Sequence, residues 1–310
     1  MLERWRRAFQ RSEPATDPLV IGKRIGGGTF ASVHACTYHD QPCAAKVVRW
    51  ASLAPADRAM VESEAAIWRR LRHPHVCELI AVVETVQSCT FVCERLDETL
   101  RDRHCRLLRL GCKPRMVTIT RGMIHISDAL SYLHACGVMH RDVKSENVLI
   151  RVDDAAGDQH KLSDFGLAKS VDNGNEATAE TGSYRFMAPE VIRHEPYDER
   201  CDVYSLGMLF FEMLTLTVPF SAFTPVQAAL AVANEALRPP LPPLPTAMRS
   251  LVHSCWQQDR RLRPDMSSVR RQLDGIVAMN LSFSSLEMSH RLVRSTSDGA
   301  LARSAWATDM

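Results

Sequence analysis

Between Leu19 and Glu94 the apolar positions fall in short runs, LVIGKRI, SVHACTY, CAAKVVRW, LIAVVE and TFVCE, rich in Val, Ile, Ala and Cys. Runs this short, bounded by polar or glycine-containing breaks, predict strands. One segment interrupts the series. In APADRAMVESEAAIWRRLRH, Met60, Ile67 and Leu71 stand among charges, which predicts an amphipathic helix cut off before Pro74. After Asp97 the spacing becomes helical, in MVTITRGMIHISDALSYLHACG and DVYSLGMLFFEMLT, with Gly137 and Pro219 as stops. The expected class is therefore α+β: a small sheet with one helix over 19–96, then a larger, mainly helical part over 97–279, meeting near ERLDETL. Residues 280–310, rich in Ser, Arg and Ala without a sustained period, read as a disordered C-terminal tail. Residues 1–18 read as an N-terminal extension, and both flanks are expected to be too short to fold alone.

Composition narrows the classes. The chain has 310 residues, 45% of them hydrophobic, enough for a substantial core. With 38 basic and 36 acidic side chains the formal charge is +2, so the balance implies neither nucleic acid nor an anionic membrane as partner. Ten cysteines are scattered, none as CxxC, and several (Cys36, Cys93, Cys255) lie in apolar stretches. That usage suits reduced thiols in a cytoplasmic protein, with nuclear access open. No run of about 18 uncharged apolar residues predicts a transmembrane segment, and MLERWRRAFQRSE lacks the apolar centre of a secretion signal. Its alternation of Arg with Leu, Trp and Phe offers a mitochondrial or membrane-surface alternative, which Glu3 and its shortness oppose.

Three stretches carry chemistry. IGGGTFASV, residues 25–33, lies between two predicted strands, where glycines allow backbone N–H groups to approach a polyphosphate, or simply turn a hairpin. Lys46 sits on the next apolar strand, one of only six lysines in the chain, and a desolvated ammonium there requires a carboxylate. Glu62 and Glu64 on the predicted helix offer one. Downstream, KLSDFGLAKS places Asp164 after a short strand; Asp142 stands 22 residues earlier and Asn147 17 earlier, within HRDVKSENVLI. An Asp with an Asn suits Mg²⁺, which takes hard oxygens and keeps waters and phosphates for the rest of its octahedron.

In this order, glycine loop, strand Lys, helix Glu, HRD with an Asn, DFG and the later MAPE, the chain resembles the eukaryotic-type protein kinases from about Leu19 to Asp274. The strings TGSYRFMAPEVIRHEPYDERCDVYSLG, LRPPLP and CWQQDRRLRP narrow the resemblance to the tyrosine-kinase-like group, near its Raf-like and mixed-lineage serine/threonine members. The resemblance implies a bilobal kinase fold and transfer of the ATP γ-phosphoryl group to Ser or Thr hydroxyls of protein substrates, with Mg²⁺ as the metal and Mn²⁺ as its substitute. It further implies that Gly26, Gly27 and Gly28 cover the phosphates, that Lys46 paired to Glu64 holds them, and that Asn147 and Asp164 bind the metal. Asp142 would accept the substrate proton and Lys144 would reach the γ-phosphate. Ile25, Val33, Ala44, Cys93 and Leu149 would line the nucleotide cleft, with Glu94 and Leu96 giving backbone hydrogen bonds to adenine.

The same resemblance assigns supports: Glu190 with Arg263, Asp202 beneath the catalytic loop, and an apolar column of Trp68, Leu79, His140 and Phe165. It also implies an activation segment, with Ser183 facing the catalytic Asp and phosphorylation at Thr178 or Thr181, less so Ser170, by an upstream kinase, read by Arg141. One departure stands out: Ala31 replaces the third loop glycine. Two other readings stay open at this level. A scaffold of the same fold would bind without transfer, and a small-molecule phosphotransferase would share the Asp and Asn but would not need the APE and DVYSLG elements.

Overall fold

A computed structural model describes residues 18–27, 31–53, 55–170 and 184–279. The predicted apolar runs form β1 (Leu19–Gly27), β2 (Ala31–Tyr38) and β3 (Gln41–Arg49). The β2 and β3 strands are joined by a two-residue turn in which His39 and Asp40 both adopt positive φ, 47° and 60°, the twist that tight hairpins favour. Next come helix α1 (Pro55–Trp68), then β4 (Leu79–Glu84) and β5 (Ser88–Glu94). These strands build one antiparallel sheet in the order β1-β2-β3-β5-β4. In β3, period-two alternation sends Ala44 and Val48 into the main core with Phe91 and Cys93, and Cys43 and Ala45 to the opposite face with Cys36 and Val92. Lys46 falls between Ala44 and Val48 and therefore points into the same side as α1. Its register partners are Val33 and Phe91.

The helix forms where expected, but its inward face differs from the predicted one. Val61, Glu64, Ala65 and Trp68, spaced i, i+3, i+4, i+7, are buried; of the expected positions Ile67 packs on the core at the edge of this stripe, Leu71 packs from beyond the helix end and Met60 is exposed. A carboxylate belongs to the buried stripe, so counting apolar letters alone displaced the face by one position.

The remaining chain is mainly helical. It comprises β6 (Glu98–Thr99), α2 (Leu100–Arg109), α3 (Met116–Ala135), β7 (Val138–Met139), β8 (Val148–Arg151), β9 (Gln159–Leu162) and β10 (Lys169–Ser170). After these come α4 (Pro189–Ile192), α5 (Arg200–Thr215), α6 (Pro225–Glu235), α7 (Thr246–Cys255) and α8, residues 266–279. A reciprocal cap of Thr99 and Asp102 starts α2 immediately after the first lobe's sheet. Every residue of α5 from Cys201 to Met213 is buried, Asp202, Ser205 and Glu212 included. It ends on Leu216 in the left-handed conformation (φ 58°), ahead of Pro219, the stop expected from the sequence. Thus α5 is a rigid post on which the second lobe is assembled. Among the described residues no helix is long and apolar enough to cross a membrane.

Candidate active site

The site lies where the sheet meets the helical lobe. From β3, Lys46 Nζ donates to Glu64 Oε1 of α1 at 2.7 Å and to Asp164 Oδ1 at 2.8 Å. Of the two carboxylates the sequence offered Lys46, it takes Glu64, the one on the buried face. Three chain segments far apart in sequence converge on one ammonium. Burial pushes the Asp164 carboxyl up, but the adjacent Lys46 charge and hydrogen bond outweigh it and bring it down to about 2. Burial pulls Lys46 down, and Asp164 then Glu64 outweigh that and raise it, so the ammonium stays charged. Burial raises the Glu64 carboxyl, with Lys46 opposing. Asp164 itself takes φ 64°, which turns its side chain out of the β9 direction and into the cleft.

The residues expected to form the catalytic loop gather around Asp142. Lys144 Nζ donates to Asp142 Oδ2 at 2.7 Å, and Asn147 Nδ2 donates to the Asp142 carbonyl and to Oδ2, both at 2.8 Å. Those bonds use the Asn147 amide nitrogen, leaving its amide oxygen outside them. Ser163 N–H bonds the Asn147 carbonyl at 2.8 Å, which brings Asp164, the next residue, alongside Asn147. Asn147 and Asp164 thus fit a hard-cation site in donor type. Among the described residues no three His, Cys, Asp or Glu side chains are grouped to hold a metal ion. A protein shell of one Asp and one Asn leaves most of an Mg²⁺ octahedron to phosphate and water.

The loop is held from below. Asp202, fully buried at the start of α5, accepts from the backbone N–H groups of His140 and Arg141, both at 2.8 Å, and contacts His134 Nε2 at 2.9 Å. Although burial raises this carboxyl, the His134 hydrogen bond and charge bring it below its usual value. Arg141 adopts φ 68°, and its guanidinium lies 5.6 Å from the Tyr197 ring centre. Behind the site, the rings of Trp68 and Phe165 are 5.6 Å apart and those of Phe165 and His140 5.3 Å, and Leu79 is buried in the same core. Three members of the expected column, Trp68, Phe165 and His140, are therefore in ring contact. Further down, Arg263 Nη1 and Nη2 reach the two oxygens of Glu190 at 2.6 and 2.8 Å.

Around the cleft, Ala44 and Cys93 are buried, Val33, Leu96 and Leu149 half-buried and Ile25 exposed. In the glycine loop the structure singles out Gly27. Its φ is +148°, and a Cβ there would sit 2.8 Å from the Ala31 carbonyl oxygen; at Gly26 the nearest atom would be at 3.8 Å. Gly28, Thr178, Thr181, Ser183 and the side chain of Ser170 lie outside the described residues.

Sequence reasoning missed two clusters. The Glu94 carboxylate accepts from Lys161 at 2.6 Å, Arg151 at 2.8 Å and the Glu78 N–H at 2.9 Å, tying the strand that ends the sheet to β8 and β9. A Lys within the buried alternation of QHKL was the available signal. The second cluster, around Glu212, had none, because its partners lie 67 to 111 positions away.

Comparison with known proteins gives the following. The family model described as the protein kinase domain matches residues 19–273. The serine/threonine/tyrosine-protein kinase HT1 of Arabidopsis thaliana is 34% identical over 259 residues, covering 81% of this chain and 64% of that protein. The serine/threonine-protein kinase STY17 of the same plant is 31% identical over 267 residues, 84% of this chain and 45% of its own length. A mitogen-activated protein kinase kinase kinase of Drosophila melanogaster is 30% identical over 294 residues, 91% of this chain and 24% of its own. The chain therefore spans less than two thirds of the length of these relatives.

Proposed function

The chain belongs to the protein kinase family, among relatives of its tyrosine-kinase-like group, and we propose that it transfers the γ-phosphoryl group of ATP to Ser and Thr hydroxyls of proteins. The observation that carries this reading is the pairing of Lys46 with both Glu64 and Asp164 while Asp142 is held apart by Lys144 and Asn147. One group holds phosphates; the other handles the acceptor.

Phosphoryl transfer asks for positioning and charge neutralisation more than for a strong base. Lys46, fixed by Glu64, offers its ammonium to the phosphates, and the backbone of Gly26 and Gly27 covers them. Asn147 and Asp164 would hold Mg²⁺, which when bound neutralises charge on the transferred group. Asp142 Oδ orients the acceptor hydroxyl and takes its proton, and Lys144, already 2.7 Å from that carboxylate, balances the charge there. Ile25, Val33, Ala44, Cys93 and Leu149 enclose the base, and the small Cys93 leaves room behind it. Asp202 and the Glu190–Arg263 pair hold this arrangement from below. Lys144 and the serine/threonine name of STY17 support Ser/Thr as acceptors, while the name of HT1 adds tyrosine.

The proposal extends to regulation by phosphorylation at Thr178 or Thr181, with Arg141, whose guanidinium lies 5.6 Å from the Tyr197 ring centre, as the group that reads the phosphate. Alanine at both threonines is expected to lower activity; unchanged activity would remove this part. With its ten cysteines free, seven of them buried, the reading assigns the protein to the cytoplasm, acting on protein substrates. The test is incubation with labelled ATP, Mg²⁺ and mixed protein substrates, beside Lys46→Met and Asp142→Asn. Phosphoserine or phosphothreonine absent from both variants is expected. Phosphotyrosine as the main product, or labelling that survives both substitutions, would overturn the assignment.

A further inference from the structure

We infer that Glu212 is a second positioning residue for the catalytic loop, acting through Ser145 and resting on the kinase reading above. Glu212 lies near the end of α5 and is fully buried. Its Oε1 accepts from Ser145 Oγ at 2.8 Å, from Arg101 Nη1 at 3.3 Å and contacts His104 Nδ1 at 3.2 Å. Its Oε2 has no partner. A buried carboxylate with one oxygen unsatisfied is a costly arrangement, and an apolar residue would fill the space more cheaply. What it gains is at the other oxygen, where three side chains meet and the Ser145 hydroxyl is the nearest at 2.8 Å.

What that oxygen holds decides the role. Ser145 is fully buried, stands directly after Lys144 and opens the short turn Ser145–Asn147. The two side chains flanking this anchor, Lys144 and Asn147, are the ones that bond Asp142 Oδ2. Ser145 Oγ also lies 3.3 Å from Glu146 Oε2, a longer contact to a neighbour in the same turn, which cannot fix the turn to the rest of the lobe. Asp202 already pins the loop's start, through His140 and Arg141. Glu212 stands ten residues further along the same helix, about 15 Å away. One rigid helix therefore fixes the catalytic loop at both ends. The same Glu212 oxygen receives Arg101 and His104 of α2, the helix that leaves the nucleotide hinge, so the loop and that helix share one anchor.

The test uses the full chain with Ser145→Ala, Glu212→Gln and Glu212→Leu. The readouts are kcat and KM for ATP, hydrogen exchange at amides 142–148, and the unfolding temperature. Ser145→Ala removes only the tie. It is expected to lower kcat about tenfold with KM for ATP within about twofold, because a displaced turn misplaces Lys144 and Asn147 without touching Lys46. Loop amides should exchange faster while the unfolding temperature stays near wild type. Glu212→Gln keeps an acceptor for Ser145 and should retain most of kcat, unlike Glu212→Leu. Wild-type kcat and wild-type loop exchange in Ser145→Ala would overturn the inference, as would a parallel fall of kcat, KM performance and unfolding temperature. If the wild-type protein transfers no phosphoryl group, the kinase reading fails, while the exchange measurement still decides whether Glu212 holds the loop.

Discussion

Replacing Arg263 by Met should cost the helical lobe more stability than any single surface change, and the structure says why. The guanidinium is fully buried and makes a two-pronged pair with Glu190 at 2.6 and 2.8 Å. It also donates to the carbonyls of Gln257 at 2.8 Å and Arg200 at 3.0 Å, and lies 5.1 Å from the Tyr204 ring centre. Met fills much of the volume but leaves the buried Glu190 carboxylate without its counter-charge. Removing one partner of a buried pair costs about 3–5 kcal/mol, whereas an exposed pair is worth at most about 1 kcal/mol. At about 2–4 °C per kcal/mol for a unit of this size, the melting temperature should fall by roughly 6 to 20 °C. The double variant Glu190→Leu/Arg263→Met should recover a large part of that loss, because no unpaired charge remains. Calorimetric unfolding of wild type, both single variants and the double completes the cycle. A loss below about 1 kcal/mol in Arg263→Met would refute the reasoning, since it would put the pair in the range of exposed ones.

Three further outcomes follow. Gly27→Ala should weaken nucleotide binding by roughly tenfold or more, from backbone strain of about 1–3 kcal/mol, while Gly26→Ala changes it little; equal effects in a titration calorimeter would contradict the clash with the Ala31 carbonyl. His125 and His160 are held at about 3 and about 4 instead of 6.5, each chiefly by burial, with His75 and His160 adding to it at His125. A histidine held down in the folded state contributes stability that is complete above about 6.5 and is lost as pH falls toward the folded value. His125→Asn should therefore flatten the decline of stability between about pH 6 and 4, and an unchanged slope in urea titrations would count against it. Lys46→Met should raise the Asp164 pKa from about 2, because burial is then opposed only by His140 and the Gly166 N–H; in the wild type the depressed group contributes stability present above about 4 and lost as pH falls toward 2. An NMR titration in which Asp164 keeps its low value would contradict the pairing.

Much of this site was legible because the chemistry demands fixed residue types near fixed element ends. A Lys inside an apolar strand calls for a carboxylate, and an Asp and Asn in one loop beside an Asp at the next strand's end call for a cation. The glycine loop was legible as a class, but not which glycine the backbone requires, since Gly27 is singled out by the path of Ala31 across from it. The face of α1 was misplaced because Glu64, counted as polar, belongs inside once Lys46 meets it. The Glu212 and Glu94 clusters were missed for a different reason, even though Lys161 within QHKL signalled the second. A buried Lys161 asks for a carboxylate without naming Glu94, Glu212 has no such cue, and only the packing of α5, α2, β8 and β9 brings the partners together.

The division of labour between a phosphate-holding half and an acceptor-handling half is tested most directly by Asp142→Asn, with Mg²⁺ and ATP affinity and single-turnover γ-phosphoryl transfer measured on the same preparation. The structure predicts affinity within about threefold of wild type and transfer slower by about a hundredfold to ten-thousandfold. Transfer at the wild-type rate, or wild-type protein that binds the nucleotide and transfers nothing, would contradict it.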